Sequence, residues 1–163
     1  MTQDSRNIGV VMGRRRVDNP WIDHIWVPHA VLDQAPDVAA WTLISEEGDL
    51  SLHYAGEATV ELFASETANY RDNLASGDPR LWIACRSREG GAPPEFLRAT
   101  ADPTEGEAFF EGGADIVGTV AMPVDINAWI AAFVEAFHVE RVFHKRQRDG
   151  DGARRGRRRE GGT

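Results

Sequence analysis

Residues 50–63, LSLHYAGEATVELF, decide the fold class. Leu50, Leu52 and Tyr54 alternate with Ser51 and His53, the period-two pattern of a half-buried strand. Gly56 is expected to break that strand, because a glycine weakens strand interiors and marks bends. Beyond it, Thr59, Glu61 and Phe63 alternate with Val60 and Leu62, which predicts a further strand.

The same pattern extends in both directions. Residues 7–17 (NIGVVMGRRRV) predict a strand that turns polar at its end, and Asp18-Asn19-Pro20 predicts a turn. Residues 24–32 (HIWVPHAVL) predict a strand in which Pro28 marks an edge or a bulge. Further strands are expected at 41–45, at the apolar run 81–85 (LWIAC), at 96–101 and at 116–122. Residues 66–74 fit a short helix with Ser65 as its N-cap. Asp102 caps another, with Pro103 at its first position and Glu105 at its third, and Gly112 stops it.

From about Val124 to His138, Ile126, Trp129, Ile130, Phe133, Val134 and Phe137 form one apolar stripe of an amphipathic helix. Its opposite side carries Asn127, Ala128, Ala131, Ala132 and Ala136, with Glu135 alone charged. The expected fold class is therefore α+β: a mostly antiparallel curved sheet or small barrel of about eight short strands, two short helices and a C-terminal amphipathic helix.

Composition bounds the rest. The chain has 163 residues, 42% hydrophobic and 27% charged, enough for a real core in one domain. No apolar window is long enough for a membrane helix. One cysteine, Cys85, excludes a disulfide scaffold and fits a reducing compartment. Arg14 and Arg15 precede no apolar segment of an export signal, so a cytoplasmic location is expected. The net charge of −8 is uneven: residues 1–140 carry −14 and residues 141–163 carry +6. Residues 149–163 lack large apolar side chains, which predicts a disordered Arg/Gly-rich tail behind a single domain at 1–148.

No complete catalytic motif is present, and no catalytic residue, metal or cofactor is expected. Asp23, His24, His29, His53 and Cys85 are the ligand types available, but no pair has the spacing of half a metal site. Glu135-x-x-His138 is a single copy of a motif that di-iron proteins need twice, so it is expected to be a solvated helix end. Cys85 lies in an apolar strand, where a thiol packs rather than reacts. The run Arg154 to Arg159 suits phosphates, but the acidic body and the absence of interleaved aromatics make nucleic acid the less favoured partner.

Residues 14–26, RRRVDNPWIDHIW, gather three Arg and two Trp around a turn, and these types are enriched at binding hot spots. Arg14, Arg16, Asp18, Asn19, Trp21 and Trp26 are the candidate partner surface. On a strand Arg14 and Arg16 share a face and Arg15 points the other way. Arg15 is then expected either to pair with a carboxylate such as Asp23 or to lie at a sheet edge.

This segment, with TANYRDNL, PRLWIACR and the closing AWIAAFVEAFHVERVFHKRQRD, resembles a proteobacterial family, domain of unknown function 3305, from about Ile8 to Arg148. Members of that family tend to be encoded beside molybdenum-dependent formate dehydrogenases. The resemblance implies a non-catalytic cytoplasmic accessory protein in the maturation or regulation of such an enzyme. Its client would be a dehydrogenase subunit or a co-encoded accessory protein. The alternatives are an enzyme or small-ligand binder of the molybdenum cofactor pathway, uniting His24, His53 or Cys85 with acids, and a nucleic-acid-binding regulator acting through the tail.

Overall fold

The computed structural model describes residues 3–138. The expectation for 149–163 falls outside them. Seven strands form two antiparallel sheets. The first contains β1 (Gln3–Arg16), β2 (His24–Leu32), β3 (Thr42–Glu47) and β4 (Leu50–Phe63), in the order β2-β1-β4-β3. The second contains β5 (Arg80–Arg86), β6 (Glu95–Thr100) and β7 (Ile116–Ala121), in the order β6-β5-β7. Among the described residues three α-helices join them: α1 (Thr67–Leu74), α2 (Pro103–Glu107) and α3 (Val124–Phe137). The α+β class and the antiparallel pairing agree with the sequence pattern. The closed barrel does not: the chain builds two open sheets.

The strand count differs because Gly56 does not end a strand. Leu50–Phe63 is one strand that pairs along nearly all of β1. Gly56, at φ +125°, sits at a bulge: Val10 faces Gly56, Val11 faces Tyr54, and Ala55 is the extra residue. An extra residue shifts the side-chain alternation by one. Ala58, Val60 and Leu62 therefore face the core with Ile8 and Val10, whereas Leu52 and Tyr54 lie on the other face with Gly13 and Val11. There Gly9 and Gly13 leave room for larger neighbours: a Cβ on Gly9 would lie 3.0 Å from the Tyr54 ring, and one on Gly13 would lie 3.1 Å from Leu50. The same bulge turns His53 and Ser51 to the face of Met12 and Arg14.

The Pro28 signal holds in both senses. β2 is an edge strand, and its register slips between Val11↔Ala30 and Met12↔Pro28, leaving His29 as the exposed extra residue. Beyond that edge lies β7, where a Cβ on Gly118 would sit 3.2 Å from the Pro28 ring. The two sheets thus meet at a glycine set against a proline, two residues that leave no bulky side chain or backbone N–H of Pro28 in the way.

The main core joins Ile8, Val10 and Met12 of β1 and Val60 and Leu62 of β4 to Leu81 and Ile83 of β5 and to α3. Ile126, Ile130, Phe133 and Val134 of α3 are buried, and Phe133 meets Tyr70 of α1 edge-on at 6.4 Å between ring centres. Trp129, on the same stripe, is only partly buried and donates its indole N–H to Asp4 Oδ2 at 2.8 Å. Phe137 is 40% exposed. Phe133→Ala should therefore cost roughly 3–5 kcal/mol. Trp129→Ala should cost about half as much, since less of its ring leaves water. Urea unfolding of the two variants checks the order; equal losses would contradict this packing.

Helix ends follow their local chemistry. Asp102 Oδ1 accepts the backbone N–H groups of Thr104 (2.9 Å) and Glu105, so the predicted cap is present, with Pro103 in the first turn. Ser65 caps nothing: it lies in a 3-10 turn (Ala64–Glu66) and its hydroxyl meets Glu66 Oε1. The end of α3 is docked rather than solvated. His138 lies 2.9 Å from the buried Thr67 hydroxyl and 3.0 Å from Arg71 Nη1, which fastens α3 to α1.

Candidate functional site

β1 carries its arginines past the covered part of the sheet, and Arg14, Arg15 and Arg16 are all exposed. β1 is flanked by β2 and β4 here, with Arg15 opposite Ile25 and Leu50. Arg15 is therefore not at a sheet edge, nor is it the partner of Asp23. Asp23 Oδ1 lies 2.5 Å from His24 Nδ1, and Arg14 Nη2 lies 3.2 Å from the same nitrogen. The hydrogen bond from His24, reinforced by the charges of His24 and Arg14, holds the Asp23 carboxyl below the ordinary aspartate range. Arg14 and Arg16 border one polar pocket with Asp23, His24, Glu46 and Asp49, as expected of residues sharing a strand face.

The turn that follows is closed locally. Asn19 Oδ1 accepts the Trp21 backbone N–H at 2.8 Å, and Val17 N–H donates to the Asp23 carbonyl at 3.0 Å. This turn pushes Trp21 outward, where it is 88% exposed, with Ile22 at 50% beside it. Asp18 is exposed on the same turn.

Trp26 is placed differently from Trp21. It is half-buried against the core, its ring 5.2 Å from Trp41, 5.1 Å from His53 and 6.1 Å from His24. Its indole N–H is buried without a hydrogen-bond partner among the described residues, an arrangement that costs about 1–3 kcal/mol. Trp41 adopts a left-handed φ of 68°, held by the hydrogen bond from its N–H to the Tyr54 carbonyl. The aromatic group of Trp26, Trp41, His24 and His53 is the floor beneath the arginine turn.

Beside it a cleft of about 530 Å³ opens where β2 meets β7 and the β5–β6 loop. Ile22, Trp26, Pro28, Pro94, Phe110 and Ile116 make it mainly apolar. Phe110, in a 3-10 turn (Phe109–Gly112), is 61% exposed at this cleft. Asp115 fixes the loop by accepting the Ser87 N–H at 2.7 Å, which also lowers the Asp115 pKa. Gly91, at φ +71°, lets the loop close over His24: a Cβ there would stand 2.9 Å from the imidazole, and His24 Nε2 lies 3.3 Å from the Gly91 carbonyl. A second hollow, bordered by Arg14, Asn19, Trp21, Ile22 and Gly91, joins this cleft to the polar pocket, and His24 borders all three.

Of the candidate surface residues, Arg14, Asn19 and Trp21 are brought to one hollow and Arg16 to the adjoining pocket, while Trp26 supports them from below. Ile22, Arg88 and Phe110 complete the site and carry no sequence signature. His24 and His53 converge on Trp26, whereas Cys85 lies in the main core, where burial pushes its thiol up to about 12 and keeps it protonated. Among the described residues, no group of three or more His, Cys, Asp or Glu could hold a metal ion. Nor is any helix long and apolar enough to cross a membrane.

Fold and site together define an α+β protein of two antiparallel sheets with an apolar cleft, rimmed by arginine and tryptophan, at their junction. The chain matches, over residues 7–147, the family described as protein of unknown function (DUF3305), and it belongs to that family. No curated protein and no solved structure matches it.

Proposed function

We propose that this chain is a non-catalytic accessory protein that binds a client through the turn at 14–22 and the adjoining cleft. The observation that carries the reading is Trp21, 88% exposed beside Ile22 in a hollow that Ile22 shares with the apolar cleft, on which Phe110 stands 61% exposed. Leaving a large indole in water forgoes burial worth roughly 1.5–3 kcal/mol, and clustered exposed apolar side chains rimmed by polar groups are the usual mark of a contact surface. The proposed client is a subunit of a molybdenum-dependent formate dehydrogenase, or an accessory protein encoded with it, and the proposed setting is the cytoplasm. This identity rests on the family resemblance.

The test is a double charge reversal, Arg14→Glu with Arg16→Glu. Both side chains are exposed, but reversal sets carboxylates beside Asp23, Glu46 and Asp49, so a loss of up to about 1 kcal/mol per substitution is expected, with a melting curve as the folding control. Formate dehydrogenase activity in a complemented deletion strain should nevertheless fall severalfold. A well-folded double variant that restores full activity would remove this surface as the route to that client.

A further inference from the structure

The chemistry of the site specifies the kind of segment it takes, granted that it is a client surface as proposed above. Among the described residues Arg80 pairs with Asp78, Arg86 with Glu95 and Arg98 with Glu105. Arg14 and Arg88 have no such partner among the described residues. They stand at the two sides of His24, Arg88 bordering the apolar cleft and Arg14 the hollow under Trp21. The aspartates in the same two spaces are both engaged, Asp23 by His24 and Asp115 by the Ser87 N–H. Cleft and hollow thus offer two guanidinium groups without a carboxylate partner among the described residues, Arg14 being held only by His24 Nδ1 at 3.2 Å, and no unengaged carboxylate. Beyond Arg16 the balance reverses, because Glu46 and Asp49 border the polar pocket.

We infer that the cleft receives an extended acidic segment of the partner: an aliphatic or aromatic side chain seated between Phe110 and Pro28, with carboxylates over Arg88 and Arg14. A guanidinium matches a carboxylate in a two-point geometry that an ammonium or amide lacks. An apolar anchor ringed by charge-assisted hydrogen bonds is also the common arrangement of a peptide hot spot. Carboxylates further along, over Glu46 and Asp49, are disfavoured by like charge. The segment is therefore acidic around its anchor and neutral or basic toward the β3–β4 hairpin.

The experiment is selection of random dodecapeptides on the immobilised full chain, followed by affinity measurement of the best peptide by fluorescence anisotropy. Enriched peptides should carry Asp or Glu next to an aliphatic or aromatic residue. Arg88→Glu should weaken the best peptide about tenfold, and raised salt should weaken it too. Selection repeated on Arg88→Glu should move one acidic position to Lys or Arg. Phe110→Glu, an exposed substitution with its melting curve as the folding control, should abolish enrichment. Enrichment without acidic residues, an acidic preference unchanged in Arg88→Glu, or no enrichment at all would overturn the inference. So would tighter binding of a single-stranded oligonucleotide that competes with the peptide. Any of these results, with complementation still lost in the Arg14/Arg16 double variant, would remove the acidic segment and leave the client surface standing. Full complementation by that double variant, with acidic peptides still selected, would do the reverse.

Discussion

Asn73→Ala is expected to lower stability by about 3–5 kcal/mol, far more than loss of a polar side chain on an ordinary helix. Asn73 lies in the last turn of α1 and is only 4% exposed. Its amide nitrogen donates to the carbonyls of Arg80 (2.8 Å) and Ala101 (2.9 Å), and its oxygen accepts the Arg80 N–H at 3.0 Å. One side chain thus ties α1 to the first residue of β5 and to the chain just beyond β6. Alanine would strand three backbone groups, each costing about 1–3 kcal/mol when buried without a partner. Asn73→Asp is the sharper probe: it keeps the acceptor but sets a carboxylate oxygen against two carbonyls, and should be at least as damaging. Urea unfolding of both variants measures this. A loss under about 1 kcal/mol for alanine would show that water replaces the amide and that the second sheet is held otherwise.

Gly106→Ala should cost roughly 3 kcal/mol, against the gain that helix propensity alone assigns to it. Gly106 is buried in α2, and a Cβ there would fall 2.1 Å from Cγ and 2.4 Å from Cδ1 of Trp82. Trp82 is in mid-strand, paired with Thr100 and Thr119, and the contact is at the root of its ring, so no rotation of a flexible tip relieves it. The two residues should be coupled: adding Gly106→Ala to a Trp82→Ala chain should cost little, a coupling of about 1–3 kcal/mol in a double-mutant cycle. A neutral or stabilising Gly106→Ala would mean that α2 stands further from the sheet.

Elements fixed by local chemistry were legible in the sequence. α3 follows from six apolar residues on one stripe, the start of α2 from Asp102-Pro103, and β2 with its irregularity from Pro28. What escaped depends on pairing. Leu52, Tyr54, Val60 and Leu62 are all even-numbered, so plain alternation puts them on one face; Ala55 is the extra residue that divides them between two. A bulge is set by the partner strand, and β1 has no sequence mark for it. Without it, Gly56 looks like a strand end, seven strands become eight, and two open sheets resemble a barrel.

The site divides in the same way. Three arginines and an exposed turn are visible in RRRVDNPW because a strand leaving the core becomes polar. Trp21 and Trp26 look alike in sequence, yet one is outside and the other beneath it, since only the second meets Trp41 and His53 across the sheet. Arg88 and Phe110 reach the site from distant parts of the chain, on a glycine-rich loop and a 3-10 turn.

The most direct test of the partner surface is site-specific photo-crosslinking of the full chain in cells, with a benzophenone amino acid placed at Trp21 and, in a separate chain, at Ala131 on the exposed side of α3. A discrete adduct with one partner protein is expected from position 21, lost when Phe110→Glu is added, and none from position 131. An adduct from position 131 with none from position 21 would place the client on α3 and contradict the proposed surface.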